Sequence, residues 1–519
     1  MLRVTNTECG MVRGFPGTDA RVTVFKGIPY AAPTSGENRW RAPQPAACWD
    51  GVRDCYEFAP VSMQRTPGRD RDAFYSREWH VDPDVAMGED SLALNIWTPM
   101  NTGDENLPVF VWYHGGGLQD GYAYEMEFDG ERFAKRGIVI VTIAYRLNCF
   151  GFLCHPEITA EAPDAPANFG LLDQKAGLEW VRRNIANFGG DPDNITIGGQ
   201  SAGAASVLAH MSTPASNSLF KKAVIQSIGG VTPVYPPAPI MRTRTLEQAE
   251  KDGVDFFENK LGVHSLAEAR ALDAKYVEEQ YLEYNTELHG AWNALGWGMV
   301  IDNKFLFENS SDCMLKNEMP RIPMIIGATS ADLIKVGPEE GTVQEIKDWV
   351  YSNFGAHSQE LLVAAEELCG EDPQEMKKAL SFISMELNEQ LFCETAAAQG
   401  RTCYGYHFAP EMPGDDAGAF HSSCLWFTFE TLAKCWRPFK GKHYDLARQM
   451  CNYWSNFIKT GDPNGNDTDG VPMPKWMPYT KESPYQMCFG DTAGMEYRRP
   501  DKIRQLLIDI NKKALGIER

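Results

Sequence analysis

The stretch Asn194-Ile195-Thr196-Ile197-Gly198-Gly199-Gln200-Ser201-Ala202-Gly203-Ala204 decides the fold. Its first half is short, apolar and β-branched, as in a strand covered on both faces. Its second half fits the pattern Gly-x-Ser-x-Gly and continues into small residues that favour a helix. A chain that turns from strand to helix at one serine needs small neighbours, because the turn pinches that serine into a strained conformation. The turn leaves Ser201 Oγ standing at the carboxyl edge of a sheet, beside a helix N-terminus. The five-residue pattern is weak by itself, and the strand before it and the helix after it carry the reading.

Working outward, Leu92 to Trp97, Val109 to Tyr113, Ile138 to Ala144, Pro323 to Gly327 and Cys403 to Phe408 read as further strands. Arg21 to Phe25 is an alternating strand. About Gly170 to Asn187 and Lys502 to Leu515 have helical spacing. Strand, helix, strand, tight turn and helix in succession predict a mostly parallel α/β sheet with helices on both faces. Residues 241–292 and 341–400 are rich in Glu, Ala, Leu and Lys and read as helical insertions over the mouth of the sheet. Arg65 to Val85 is charged and aromatic without a period, which predicts a long loop. The whole chain, 1–519, is expected to form one catalytic domain.

The 519 residues are 43% hydrophobic and 23% charged, which excludes collagen-like, largely disordered and disulfide-scaffold classes. The net charge of −21 disfavours nucleic acid or an anionic membrane as a partner. No apolar run approaches the roughly 20 residues that span a bilayer. The N-terminus lacks a basic segment followed by an apolar one, so a cytoplasmic location is expected. Thirteen scattered cysteines show no zinc-ligand spacing and read as reduced, buried small hydrophobes.

His114-Gly115-Gly116-Gly117 follows the strand ending at Tyr113. Attack on an ester generates a tetrahedral oxyanion that needs preorganised N–H donors, and successive glycines allow close approach. Donors are expected from Gly116, Gly117 and Ala202. His114 lies upstream of the serine and reads as structural.

These residues carry a resemblance to the type-B carboxylesterase/lipase family of α/β-hydrolases, which includes para-nitrobenzyl esterases. It extends over nearly the whole chain through Phe25 to Ala31, Gly88 to Leu92, His114 to Gly117, Ala144 to Leu147, Asn168 to Gln174, Asn187 to Pro192, Gly198 to Ala204 and Thr460 to Asn464. The resemblance implies the α/β-hydrolase fold and a triad of Ser201, Asp332 and His421. The family usually carries Glu at the acid position, so Asp332, one methylene shorter, requires a closer approach to the histidine. His421 lies in Gly-Ala-Phe-His-Ser-Ser, and Cys424 stands where an acid is common. Ser227 resembles a serine that supports the triad acid. Arg39 with Glu89, and Arg146 with Asp173, resemble structural ion pairs. Secreted members bridge two cysteines at positions that here hold Ser62 and Ser91, which agrees with a reducing compartment.

The expected activity is hydrolysis of small carboxylic esters with short, medium or aromatic acyl groups through an acyl-enzyme on Ser201, without metal or organic cofactor. A non-catalytic binding protein, acyl transfer to an alcohol and lipase action are the competing readings. Leu118, Tyr122, Trp426 and Phe427 are candidate substrate-pocket residues.

Overall fold

Alternation along the strand Leu107–Tyr113 sets the architecture. Val109, Val111 and Tyr113 enter one buried cluster, while Phe110 and Trp112 enter another on the opposite face. Neighbouring strands divide in the same way, with Val139, Val141 and Ile143 on the first face and Ile138 and Ile140 on the second. A sheet with two apolar faces must be covered twice, and it is. The computed structural model describes residues 2–229, 243–289 and 296–517.

The central sheet has eleven strands: β1 (Phe15–Pro16), β2 (Thr23–Pro29), β3 (Ala93–Thr98), β4 (Leu107–Tyr113), β5 (Val139–Ile143), β6 (Gly190–Gln200), β7 (Lys222–Gln226), β8 (Met324–Thr329), β9 (Cys403–Phe408), β10 (Tyr485–Phe489) and β11 (Ala493–Tyr497). Their order is β11-β10-β9-β8-β7-β6-β4-β5-β3-β2-β1. Pairing is parallel from β10 through β5 and antiparallel at both margins. The strand that carries Ser201 is therefore central.

Among the helices are, in chain order, α1 (Phe169–Asn184), α2 (Ala202–Ser212), α3 (Leu246–Asp255), α4 (Ala274–His289), α5 (Val343–Phe354), α6 (Ser358–Cys369), α7 (Pro373–Leu380), α8 (Ser384–Ala398), α9 (Cys424–Thr428), α10 (Gly441–Thr460) and α11 (Lys502–Ala514). Helices α1, α2, α8 and α11 cover one face, through Leu178, Val207, Leu391 and Leu507 among others. Helices α9 and α10 cover the other, through Trp426, Trp454 and Phe457.

The two helical stretches divide. The 341–400 stretch is helical, but it is the connection from β8 to β9. Its last helix, α8, packs Leu387, Leu391 and Phe392 into the core that holds Met324 and Ile326, so it covers the sheet's face. In the 241–292 stretch, Tyr281 of α4 joins Leu118, just past the end of β4, in one apolar cluster; residues 241–242 and 290–292 are outside the described residues. Arg65 to Val85 is irregular apart from a short helix at Phe74–Glu78. Among the described residues no helix is long and apolar enough to cross a membrane.

Candidate active site

Strand β6 ends at Gln200 and α2 begins at Ala202, with Ser201 between them at φ 58 and ψ −122. A serine held at positive φ is strained and is sustained only by surrounding contacts. Those contacts are close backbone approaches. A Cβ on Gly199 would collide with the Gly203 carbonyl, and one on Gly203 would collide with the Tyr113 carbonyl. The Ser201 N–H donates to Gln226 O at 2.9 Å, and Ser201 O accepts from Ala205 N at 3.0 Å.

The glycine turn after β4 touches this elbow: a Cβ on Gly115 would lie 3.3 Å from Ser201 Cβ and 2.9 Å from Gln200 O. Each of its carbonyls is pinned. His114 Nδ1 meets Gly115 O at 2.9 Å, while Gly116 O accepts from Gln119 N at 2.9 Å and Asp120 N at 3.1 Å. Leu118 O accepts from Asn148 N at 2.7 Å, and Gln119 O from Asn148 Nδ2 at 3.1 Å. In a trans peptide the N–H points opposite to the C=O. Fixing the Gly115 and Gly116 carbonyls therefore turns the Gly116 and Gly117 N–H groups the other way. Burial lowers His114 to about 4, so the ring is neutral at neutral pH and its Nδ1 carries the donated proton. His114 also stacks on Tyr145, whose hydroxyl donates to His114 O at 2.8 Å.

Asp332 and His421 meet because the loops carrying them are joined. Ala331 and Phe420 form an isolated parallel bridge, and Ala331 N donates to Ala419 O at 3.0 Å. The next residue on each side is Asp332 and His421. The shorter aspartate thus reaches His421 Nδ1 directly. Its second oxygen accepts from Thr329 N at 3.1 Å, and Leu333 N donates to the first at 2.8 Å. Burial pushes the Asp332 carboxyl up, but the His421 imidazole and its hydrogen bond, the Ser227 hydroxyl and the Thr329 N–H together hold it below the usual range. Ser227 sits at φ 51 after β7, fully buried. Its hydroxyl sits beside the Asp332 carboxylate without a hydrogen bond of standard geometry.

Gln200 links the two halves of the site. Its Nε2 lies 3.1 Å from His421 Nε2 and 3.5 Å from Nδ1. Distances this similar to both ring nitrogens place the amide over the imidazole face, outside the ring plane. Sequence reasoning passed over Gln200, although it occupies a variable position of the serine motif. No hydrogen bond joins Ser201 Oγ to His421 among the described residues; in free enzymes such bonds are often long and tighten in the complex.

The segment around His421 is clamped from the Arg65–Val85 loop. Phe420 packs against Phe74 at 4.8 Å and Trp79 at 6.4 Å between ring centroids, with the Arg437 guanidinium 4.8 Å from its ring. Arg437 also forms a wholly buried ion pair with Glu78 at 2.6 Å. Spacing gave no signal for this pair, whose members lie 359 positions apart.

The pocket candidates divide. Trp426 and Phe427 are fully buried, packed by α9 against Trp79, Phe408 and Phe439, and offer no surface to a ligand. Their large apolar rings are core. Tyr122 stacks on His80 and lines a hollow of about one water behind the glycine turn. Leu118, at φ 62, packs with Trp297 beside the turn, and a Cβ on Gly298 would lie 3.4 Å from its Cδ1. The two ion pairs implied by the resemblance are present: Arg39 is bidentate to Glu89 at 2.6 and 2.7 Å, and Arg146 to Asp173 at 2.7 Å in both contacts. Cys424 receives a contact from Gln226 Nε2 at 3.6 Å.

Comparison with known proteins bears on the same arrangement. Residues 2–502 match the model of the Carboxylesterase family. The fumonisin B1 esterase of Sphingopyxis macrogoltabida is 33% identical over 328 residues, which cover 63% of this chain and 56% of that protein. The para-nitrobenzyl esterase of Bacillus subtilis (strain 168) is 32% identical over 506 residues, 93% of this chain and 94% of that one. The solved carboxylesterase of Geobacillus stearothermophilus superposes with a TM-score of 0.76 at 30% identity, over 98% of this chain and 100% of that one. The sheet, its crossover helices and the serine turn at the end of β6 are the α/β-hydrolase fold. This chain therefore belongs to the carboxylesterase family and is a carboxylic-ester hydrolase.

Proposed function

We propose that Ser201, Asp332 and His421 form the catalytic triad of this esterase, with the N–H groups of Gly116, Gly117 and Ala202 as its oxyanion hole. The observation that carries the proposal is the Asp332–His421 contact lying against Gln200, the residue next to the strained Ser201. His421 Nε2 takes the Ser201 proton as Oγ bonds to the ester carbonyl carbon. The carbonyl π electrons move to oxygen, where the three N–H groups meet the charge. Collapse of the tetrahedral species breaks the bond to the alkoxy group, which leaves with the proton from His421. Water then attacks the acyl-enzyme by the same proton route and frees the acid. Asp332 holds the imidazole in the tautomer with its proton on Nδ1 and stabilises the imidazolium that forms.

The substrates are small carboxylic esters of short, medium or aromatic acyl groups, and the chain works as one catalytic domain without nucleic acid as a partner. A reducing, cytoplasmic setting is our reading of the thirteen scattered cysteines and of the serines, Ser62 and Ser91, at the two positions that the resemblance pairs in secreted members. The test is hydrolysis of para-nitrophenyl esters from acetate to palmitate by wild type and Ser201→Ala. Turnover that peaks at short chains and vanishes in the variant is the expected result. Activity that survives in Ser201→Ala overturns the assignment.

A further inference from the structure

Gln119 closes a ring of hydrogen bonds between the glycine turn and the helical insertion. Its Oε1 accepts from the Tyr281 hydroxyl at 2.6 Å, and that hydroxyl accepts from Trp297 N at 2.9 Å. Its Nε2 donates to Trp297 O at 2.7 Å and to Gly117 O at 3.3 Å. The amide orientation follows from these partners. Turned over, its oxygen would face two carbonyl oxygens. Tyr281 belongs to α4 and is fully buried against Phe256 and Trp297. The ring is tight, since a Cβ on Gly296 would come within 2.8 Å of Asn285 Oδ1 and nearer still to the Gln119 amide.

We propose that Gln119 is a positioning residue through which α4 and Trp297 hold the oxyanion turn in its working shape, an inference that rests on the triad and oxyanion-hole reading above. Gly117 O is the one carbonyl between Gly115 and Gln119 whose partner reaches across to the insertion; the others are held by the turn itself or by Asn148. The Gln119 backbone N–H also holds Gly116 O at 2.9 Å, in the peptide that carries the Gly117 N–H. Without the side-chain anchor to the insertion, Gln119 shifts, the peptide after Gly117 is loosened, and the Gly117 N–H loses its aim. Displacement of a reacting or stabilising group by about 1 Å costs on the order of 100-fold in rate. The coupling makes the insertion a rate-determining part of the enzyme: a ligand that shifts α4 changes turnover more than affinity.

The test compares full-length wild type, Gln119→Leu, Tyr281→Phe and the double variant on para-nitrophenyl butyrate. It also measures inhibition by an aliphatic trifluoromethyl ketone, whose adduct with a serine is a tetrahedral oxyanion. Tyr281→Phe removes one hydroxyl and keeps the ring, so the test stands where Gln119→Leu fails to fold. The expected result is a kcat lower by about 10- to 100-fold, a KM within about twofold, and ketone inhibition weakened by the same factor as kcat. The double variant is no worse than the worse single one, because both open the same ring. Values of kcat and ketone inhibition within about twofold of wild type overturn the proposal, as does a rise in KM with unchanged ketone inhibition. Ser201→Ala run alongside separates the failures: activity there removes the serine reading itself, whereas an inert Ser201→Ala with unaffected Gln119 and Tyr281 variants removes only the positioning role.

Discussion

Replacing Arg437 by Met leaves Glu78 wholly buried with its cation gone. Arg437 donates to Glu78 at 2.6, 3.1 and 3.2 Å, to Asp415 at 2.7 and 3.0 Å and to Pro413 O at 3.1 Å. After the change Glu78 keeps Trp436 Nε1 at 3.0 Å and a weak Cys435 thiol contact at 3.9 Å. Removing one partner of a buried pair costs about 3–5 kcal/mol. An unfolding entropy of about 2.1 cal/mol/K per residue, over 519 residues, gives about 1.1 kcal/mol/K. Arg437→Met should therefore lower Tm by about 3–5 °C. The same change takes the guanidinium off Phe420, the neighbour of His421, so kcat should fall while KM stays close to wild type. Glu78→Leu added to Arg437→Met removes the stranded charge and should recover most of the lost Tm. Differential scanning calorimetry of wild type, single and double variants measures this. A single variant melting within about 1 °C of wild type, or a double variant melting as low as the single, would refute the reasoning.

Asp332→Asn should leave the geometry near His421 intact but favour the wrong imidazole tautomer, and steady-state kinetics should show kcat down by about 10⁴-fold. Gly116→Ala would drive a methyl into the Asp120 carbonyl and so displace an oxyanion donor, with an expected kcat loss of about 10²–10³-fold on para-nitrophenyl acetate. Burial pushes the Glu389 carboxyl up to about 8, and one of its oxygens has no partner. Its folded value lies above the unfolded one near 4.3, so its contribution to stability is full below about pH 4 and is lost as pH rises through 8. Glu389→Gln should flatten the fall of Tm across that window; an unchanged slope would count against the buried neutral carboxyl.

Much of the site was legible because each part is local. The elbow around Ser201 needs a strand, small residues and a helix in immediate succession, and the glycine turn needs only its own three residues. The strands showed themselves because coverage on both faces makes them continuously apolar. Trp426 and Phe427 misled because an aromatic side chain carries the same sequence signal in a core as in a pocket, and only packing separates the two. The Arg65–Val85 segment hid its role for another reason. Glu78, Phe74 and Trp79 work through Arg437 and Phe420, which are distant in sequence, and no period marks a contact made by an irregular chain. Gln119 was equally silent, since its partner Tyr281 lies in an insertion read only as helical and Trp297 lies just beyond that stretch, where no element was read.

The bridge between Ala331 and Phe420 divides the proposed triad unequally. Acid and base are stitched into one unit, while the nucleophile belongs to the sheet and α2. Loosening of the molecule is therefore expected to open the seam between Ser201 and His421 before it parts His421 from Asp332. A partly inactivated enzyme should accordingly keep an intact acid–base couple and lose alignment to its serine, so that its failure is one of registry.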